Sequence, residues 1–288
     1  MIKLFFVIFS VLLHAYKDDG NYSIKPYSVI SDTKSIEEGS ALLKSKKYDV
    51  FWTLNDSGDS ARIFAIDLNG KLIKPDWVKK YSGLKITDAY NSDWEALTYD
   101  SNGDIIICDC GNNYNYRKDL ALYRISEPNP YYANEAGIVS KYPFSYPDQK
   151  DFPPDKENLN YDAEAIFSYK GKLHIITKTR STSLAKIYKF NSLTPWQMNI
   201  PEIVGSFDFK SLVTDAAVSE DGKYIAVLTY NYIWLFEPNE KDNPFDSKYY
   251  LKEISLGQCE GVSFLKDEVI ISNENGYLFK IKIEELKK

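Results

Sequence analysis

Apolar residues along this chain fall into short runs of β-branched and aromatic side chains, broken by polar turns, with the period of strands. One set of runs covers 50–54, 105–108, 173–177, 224–229 and 269–272; a second covers 63–66, 120–125, 187–190, 232–236 and 277–281. No long stretch carries the 3.6-residue period of an amphipathic helix, so the pattern predicts an all-β protein. Hairpin punctuation stands ahead of the first set, as Ser101-Asn102-Gly103-Asp104, Lys170-Gly171-Lys172, Glu220-Asp221-Gly222-Lys223 and Lys266-Asp267-Glu268.

Each of these strand pairs is preceded by one recurring unit, an oxygen-bearing residue followed by small and apolar ones. The copies are Ser40-Ala41-Leu42-Leu43, Glu95-Ala96-Leu97-Thr98, Glu164-Ala165-Ile166-Phe167, Asp215-Ala216-Ala217-Val218 and Glu260-Gly261-Val262-Ser263. They lie 55, 69, 51 and 45 residues apart, the differences between those residue numbers, which is the scale of a four-stranded propeller blade. Five copies predict a five-bladed β-propeller. The last copy has no fourth strand of its own, and the strand-like segment 22–30 is expected to supply it and close the ring, removing an exposed sheet edge. A β-sandwich, the rival all-β fold, gives no reason for five repeats.

The N-terminus changes the picture of where the protein works. Lys3, the apolar run 4–13 and the polar residues from Tyr16 onward read as a secretory signal peptide over 1–15, and the run is well short of the roughly 20 residues that span a bilayer. The expectation is a single propeller domain over 16–288, secreted or periplasmic, with no membrane span in the mature form. The formal net charge is −6 with no basic cluster, which argues against nucleic acid as a partner and suits a bound cation. Of the three cysteines, Cys108 and Cys110 sit two apart in a strand-like run, a spacing that reads as too stretched for an easy disulfide, so structural thiols are expected. A Cys-based zinc site lacks ligands, because the one histidine outside the leader, His174, falls mid-strand and reads as a packed core residue.

In a propeller the first strands line the central channel, and their starts share one face with the loops between second and third strands. Ser40, Glu95, Glu164, Asp215 and Glu260 therefore converge, and four carboxylates repel one another unless a cation or protons intervene. Hard oxygen donors in this number point to Ca²⁺; the alternative is that these acids cap backbone amides or pair with Lys and Arg. Two residues before four of the ring members stand Glu38, Asp93, Asp162 and Gln258, candidate outer-shell partners. The loops on the same face offer Asn55, Asp56, Asp109, Asn112, Arg117, Lys178 and Arg180 as candidate substrate-binding groups, or as charges that merely balance the ring. Asp100, Asn102 and Asp104 have the spacing of a calcium loop but are better explained as a hairpin turn. With His174 discounted no Ser-His-Asp or Cys-His scheme remains, so hydrolysis here requires a carboxylate base or a metal-activated water.

At these residues the chain resembles a family of secreted bacterial propeller proteins of unassigned function. The motifs are Asn55-Asp56-Ser57-Gly58, Asp93-Trp94-Glu95-Ala96-Leu97, Gly111-Asn112-Asn113 with Arg117, Phe144-Ser145-Tyr146-Pro147-Asp148, Asp162-Ala163-Glu164-Ala165, Thr177-Lys178 and Glu260-Gly261. More distantly the layout is similar to calcium-dependent apyrases, five-bladed propellers that hydrolyse nucleoside di- and triphosphates. That resemblance implies calcium at Ser40, Glu95, Glu164 and Glu260; the fourth blade departs from it, offering Asp215 where a serine is expected. Two functions are carried forward: a metal-dependent hydrolase of phosphate or related esters, and a non-catalytic, calcium-stabilised module that binds a small molecule, glycan or protein.

Overall fold

The turn chemistry folds as its residues require. Asp100 Oδ1 accepts the amide hydrogens of Asn102 at 2.8 Å and Asp104 at 3.0 Å, and Gly103 takes the left-handed backbone (φ 84°) that closes the hairpin. The computed structural model describes residues 22–182 and 184–288; the expected leader lies outside them. Strand β1 (Ser28–Val29) comes first. Blade one holds β2 (Gly39–Lys44), β3 (Val50–Asn55), β4 (Arg62–Asp67), β5 (Leu72–Ile73) and β6 (Leu84–Thr87). Blade two holds β7 (Trp94–Tyr99), β8 (Ile105–Asp109), β9 (Ala121–Ile125) and β11 (Ser140–Pro143), while β10 (Glu135–Gly137) leaves it to pair in parallel with β6 of blade one. Blade three is β12 (Ala163–Tyr169), β13 (Lys172–Thr177), β14 (Leu184–Phe190) and β15 (Glu202–Asp208). Blade four is β16 (Val213–Val218), β17 (Ile225–Thr229), β18 (Tyr232–Glu237) and β19 (Lys248–Glu253). Blade five is β20 (Cys259–Leu265), β21 (Glu268–Asn273) and β22 (Tyr277–Lys282), followed by the one-turn helix α1 (Ile283–Leu286).

Blade five takes its outer strand from the N-terminus: β1 pairs antiparallel with β22, Ser28 opposite Leu278. The closing strand is two residues long, shorter than the 22–30 expected, because on either side of it the backbone bonds elsewhere, Ser23 to Ser255 O and Ser31 to Gly70 O. The five first strands form a closed circuit, with β20 packed against β2. The core is divided in the same way. Each apolar cluster lies between two adjacent blades: Trp52 and Trp94 between blades one and two, Cys108 and Tyr188 between two and three, Phe167 and Trp234 between three and four, Leu235 and Phe279 between four and five, Ile270 and Phe51 between five and one. No blade buries its faces alone, which is the physical reason the repeats must close. His174 is core, as expected: its ring stacks on Phe167 at 4.9 Å, and burial lowers its pKa to about 4.

One expectation fails. Cys108 and Cys110 form a disulfide, with Cα atoms 5.3 Å apart. The strand stops at Asp109 and the chain bends at Cys110, whose amide bonds to Asp93 O at 3.1 Å, so the pair is not held at extended spacing. Cys259 is free and buried.

Candidate functional site

Every first strand is irregular near its start, and the irregularity picks out the ring. In β7 the register skips Glu95, in β12 Glu164 and in β20 Glu260; each is a β-bulge residue released from the ladder. In β2 the shift falls between Ser40 and Leu43, with Ala41 in left-handed backbone (φ 66°). Ser40 Oγ donates to Glu95 O at 2.7 Å, joining blade one to blade two. A bulge at a strand start re-aims one side chain, and on blades two, three and five that side chain is the acid of the ring, whereas on blade one Ser40 stays paired with Leu54 and the bulge falls on Ala41 and Leu42.

The fourth blade is offset from the expected alignment by one residue. Val213 pairs with Thr229 as Ala163 pairs with Thr177, and Asp215 pairs with Leu228 as Ala165 pairs with Ile176, so the bulged residue is Thr214. Thr214 is fully buried and its Oγ1 has no hydrogen-bond partner. Asp215 takes a different job: its carboxylate accepts the amides of Ala216 at 2.8 Å and Val262 at 2.7 Å, and also that of Leu42. It thereby ties blades four, five and one together. Matching acids alone selects Asp215; the pairing of Val213 with the strand-ending Thr229 locates Thr214.

The second-tier residues stand beside the ring. Asp93 and Glu95 converge over Gly111, where a Cβ would meet Glu95 Oε1 at 2.4 Å and Asp93 Oδ2 at 2.5 Å; only glycine lets the backbone approach this closely. Asp162 Oδ1 accepts the Asn112 amide at 2.7 Å and Oδ2 lies 2.9 Å from Arg180. Gln258 donates to Glu260 at 3.1 Å and also bonds Glu274. Asp56 stands beside Glu38, its amide donating to Glu38 O at 3.3 Å.

Charge on this face is lopsided. Eight acids, Glu38, Asp56, Asp93, Glu95, Asp162, Glu164, Glu260 and Glu274, interact electrostatically across the channel mouth. Two of the cations among them, Lys178 and Arg180, come from blade three, with Lys178 Nζ 3.2 Å from Glu164 and over the Tyr230 ring, while Arg117 of blade two pairs with Asp109 and acts on Asp93 without an ion pair to it. No ion pair reaches Asp93 or Glu95 among the described residues. Burial, helped by the neighbouring acids, pushes Asp56 up to about 9, Glu164 to about 8 against the pull of Lys178, Glu274 to about 7 and Asp93 to about 6 against that of Arg117, and raises Glu95 well above the carboxylate range. Burial by itself would lower Lys178, but Glu164 and Glu260 outweigh it and keep the ammonium charged.

The loop candidates divide into two groups. Asp109, Asn112 and Arg117 are buried and occupied: Arg117 spans Asp109 (2.9 Å) and Gly111 O (2.8 Å), while Asn112 bonds the Arg117 amide and Tyr161 O. They brace the turn that carries Gly111. Asn55, buried, donates to Ser35 O and Asp59 and leaves its Oδ1 without a partner, as does Asp56 with one oxygen. Arg180 is a third exposed at the rim. Among the described residues no group of three or more His, Cys, Asp or Glu side chains is assembled at metal-holding distance, and no helix is long and apolar enough to cross a membrane.

No family model matches the chain, and no curated protein matches it. Many solved structures are similar in outline, among them the following two. A gluconolactonase from Xanthomonas campestris is 8% identical, with 91% of this chain and 96% of that one covered and a TM-score of 0.47. Virginiamycin B lyase from Staphylococcus aureus is 15% identical, with 85% of this chain and 66% of that one covered and a TM-score of 0.40. The five-bladed architecture rests on the strand pairing, not on these likenesses.

Proposed function

We propose that this is a calcium-binding propeller of the cell exterior that hydrolyses phosphate or related esters at its central face. The observation that carries the cation is the excess of buried carboxylates over cations, together with the orphaned Thr214 hydroxyl at one of the two ring positions, with Ser40, that carry a hydroxyl in place of an acid. Ser40, Glu95, Glu164, Thr214 and Glu260 would hold the ion, the three glutamates moving inward to do so because they do not stand at metal-holding distance without it; all are hard oxygen donors, which suits Ca²⁺ over a transition metal. With a hydroxyl in blade four, the ring also loses its one departure from the apyrase-like pattern.

A bound calcium ion supplies charge stabilisation for a developing oxyanion. The chain's own groups do the rest. Arg180, anchored by Asp162 and reaching the rim, binds the anionic group. Gly111, braced by Arg117, keeps Asp93 and Glu95 crowded together and short of neutralisation. The test is turnover of nucleotides, simple phosphoesters and lactones by purified protein in calcium and in chelator. Absence of chelator-sensitive turnover on every class refutes the hydrolase reading.

A second reading, a calcium-stabilised module that binds a glycan or protein without catalysis, is favoured by the internal bonding of Asp109, Asn112 and Arg117, which leaves no nucleophile–base pair in the loops. Glycan-array and pull-down screens separate it from the first.

A further inference from the structure

Three residues beyond Gly111, the loop between β8 and β9 exposes two tyrosines. Tyr114 is 64% and Tyr116 57% exposed, with their rings near-parallel at 23° and centroids 6.3 Å apart. The residue between them is the opposite: Asn115 is fully buried, in left-handed backbone (φ 54°). Every polar group of Asn115 is engaged. Its amide and its Nδ2 both donate to Asn112 O at 2.7 Å, its Oδ1 accepts the Tyr161 amide at 2.8 Å, and its carbonyl accepts Gln149 Nε2 at 2.8 Å. A loop fixed this firmly around one buried asparagine holds both neighbouring side chains outward in defined places. Large aromatic faces left in water by a rigid loop are what a ligand-stacking surface requires, since little ordering entropy remains to be lost on binding.

The adjacent residue ties this loop to a cation. Asn113 Oδ1 accepts a hydrogen bond from Arg180, the part-exposed rim cation, so the guanidinium lies one residue from the tyrosine pair. A cation for an anion and aromatic faces for a ring thus occur together at the channel rim.

We infer that Tyr114 and Tyr116 form a stacking platform for the ring of a ring-bearing anionic ester, such as an aryl or sugar phosphate, whose charged group is held by Arg180. This rests on the reading of the central face as an ester-binding site and deepens it. The ring contributes through its face and not through hydrogen bonds, so the platform prefers rings to alkyl groups without demanding one ring in particular.

The experiment measures equilibrium binding of phenyl phosphate, glucose 6-phosphate and methyl phosphate to the full protein by calorimetry, in calcium and in chelator. The expected result is a Kd for methyl phosphate about tenfold weaker than for a ring ester, with that ratio collapsing toward one in the Y114A/Y116A double variant. Y114F/Y116F, which keeps the faces, should preserve it. Preference for phenyl over glucose phosphate assigns an aryl ring, and the reverse a sugar. A ring preference that survives in chelator supports the platform while counting against the calcium reading. Calcium-dependent binding with no ring preference overturns the platform while sparing the ion site, as does a ratio unchanged by the double substitution. Failure of all three esters to bind in either condition overturns the platform as well.

Discussion

Asp215→Ala separates the two jobs an acid at the channel can hold. In the structure the carboxylate satisfies the buried amides of Ala216 and Val262, at 2.8 and 2.7 Å, and the amide of Leu42 across the ring closure. Each buried amide left without an acceptor costs about 1–3 kcal/mol, and removing a buried carboxylate returns part of that as relieved desolvation. The net loss works out at about 2–4 kcal/mol. For a domain of this size that is a fall in Tm of roughly 5–15 °C. The assay is differential scanning calorimetry in chelator, where loss of an ion ligand contributes nothing. A mainly ion-binding Asp215 gives the opposite result: unchanged or higher stability in chelator, because repulsion is relieved, and loss only of the calcium-induced gain. That outcome would falsify the assignment of Asp215 as the clasp between blades four, five and one.

Thr214→Val should behave in the complementary way, costing nothing or gaining about 1 kcal/mol in chelator because an orphaned hydroxyl is removed, while shrinking the calcium-induced rise in Tm; an undiminished rise removes Thr214 from the ion site. On the opposite face, Glu127 Oε1 accepts from Ser45, Trp52 and Tyr99 at 2.6, 2.9 and 2.6 Å, so Glu127→Ala should cost about 3–5 kcal/mol by denaturant unfolding and Glu127→Gln much less; equal effects would mean the network adds nothing. Asp93 and Glu274 have folded pKa values raised to about 6 and about 7, so the native state binds more protons than the unfolded chain above about pH 4. Their contribution to stability is complete below that pH and lost as pH rises through 6 to 7. In chelator Tm should therefore be lower at pH 8 than at pH 5, with calcium restoring more at pH 8, and a flat profile contradicts the burial of these acids. Finally, thiol titration of the unfolded, unreduced protein should count one group, Cys259; three groups would mean that Cys108 and Cys110 are not joined.

The blade architecture was legible because it is written in local chemistry. The Asn102-Gly103 turn, the 105–108 and 173–177 runs and the recurrence of acid-small-apolar units each reflect backbone preferences that act within a few residues. Ring closure by the N-terminus followed from the unpaired edge of the last blade. The candidate ring was legible at Glu95, Glu164 and Glu260, where acid and bulge coincide. It was misaligned at blade four, because there the neighbouring acid mimics the motif and only cross-strand register distinguishes Thr214 from Asp215.

What the amino-acid order determined by itself was strand, turn and repeat, and with them the face on which the acids must gather. Tertiary structure alone decided which of those acids remain short of a partner. Lys178 and Arg180 both neutralise blade three, Arg117 turns inward to Asp109, and the bend after Asp109 brings two cysteines together and Gly111 against Asp93 and Glu95. The physical reason is range. Backbone preference is settled between sequence neighbours, whereas desolvation and charge pairing depend on groups 50 residues apart in the chain, such as Asn112 and Asp162, that meet only when the blades close.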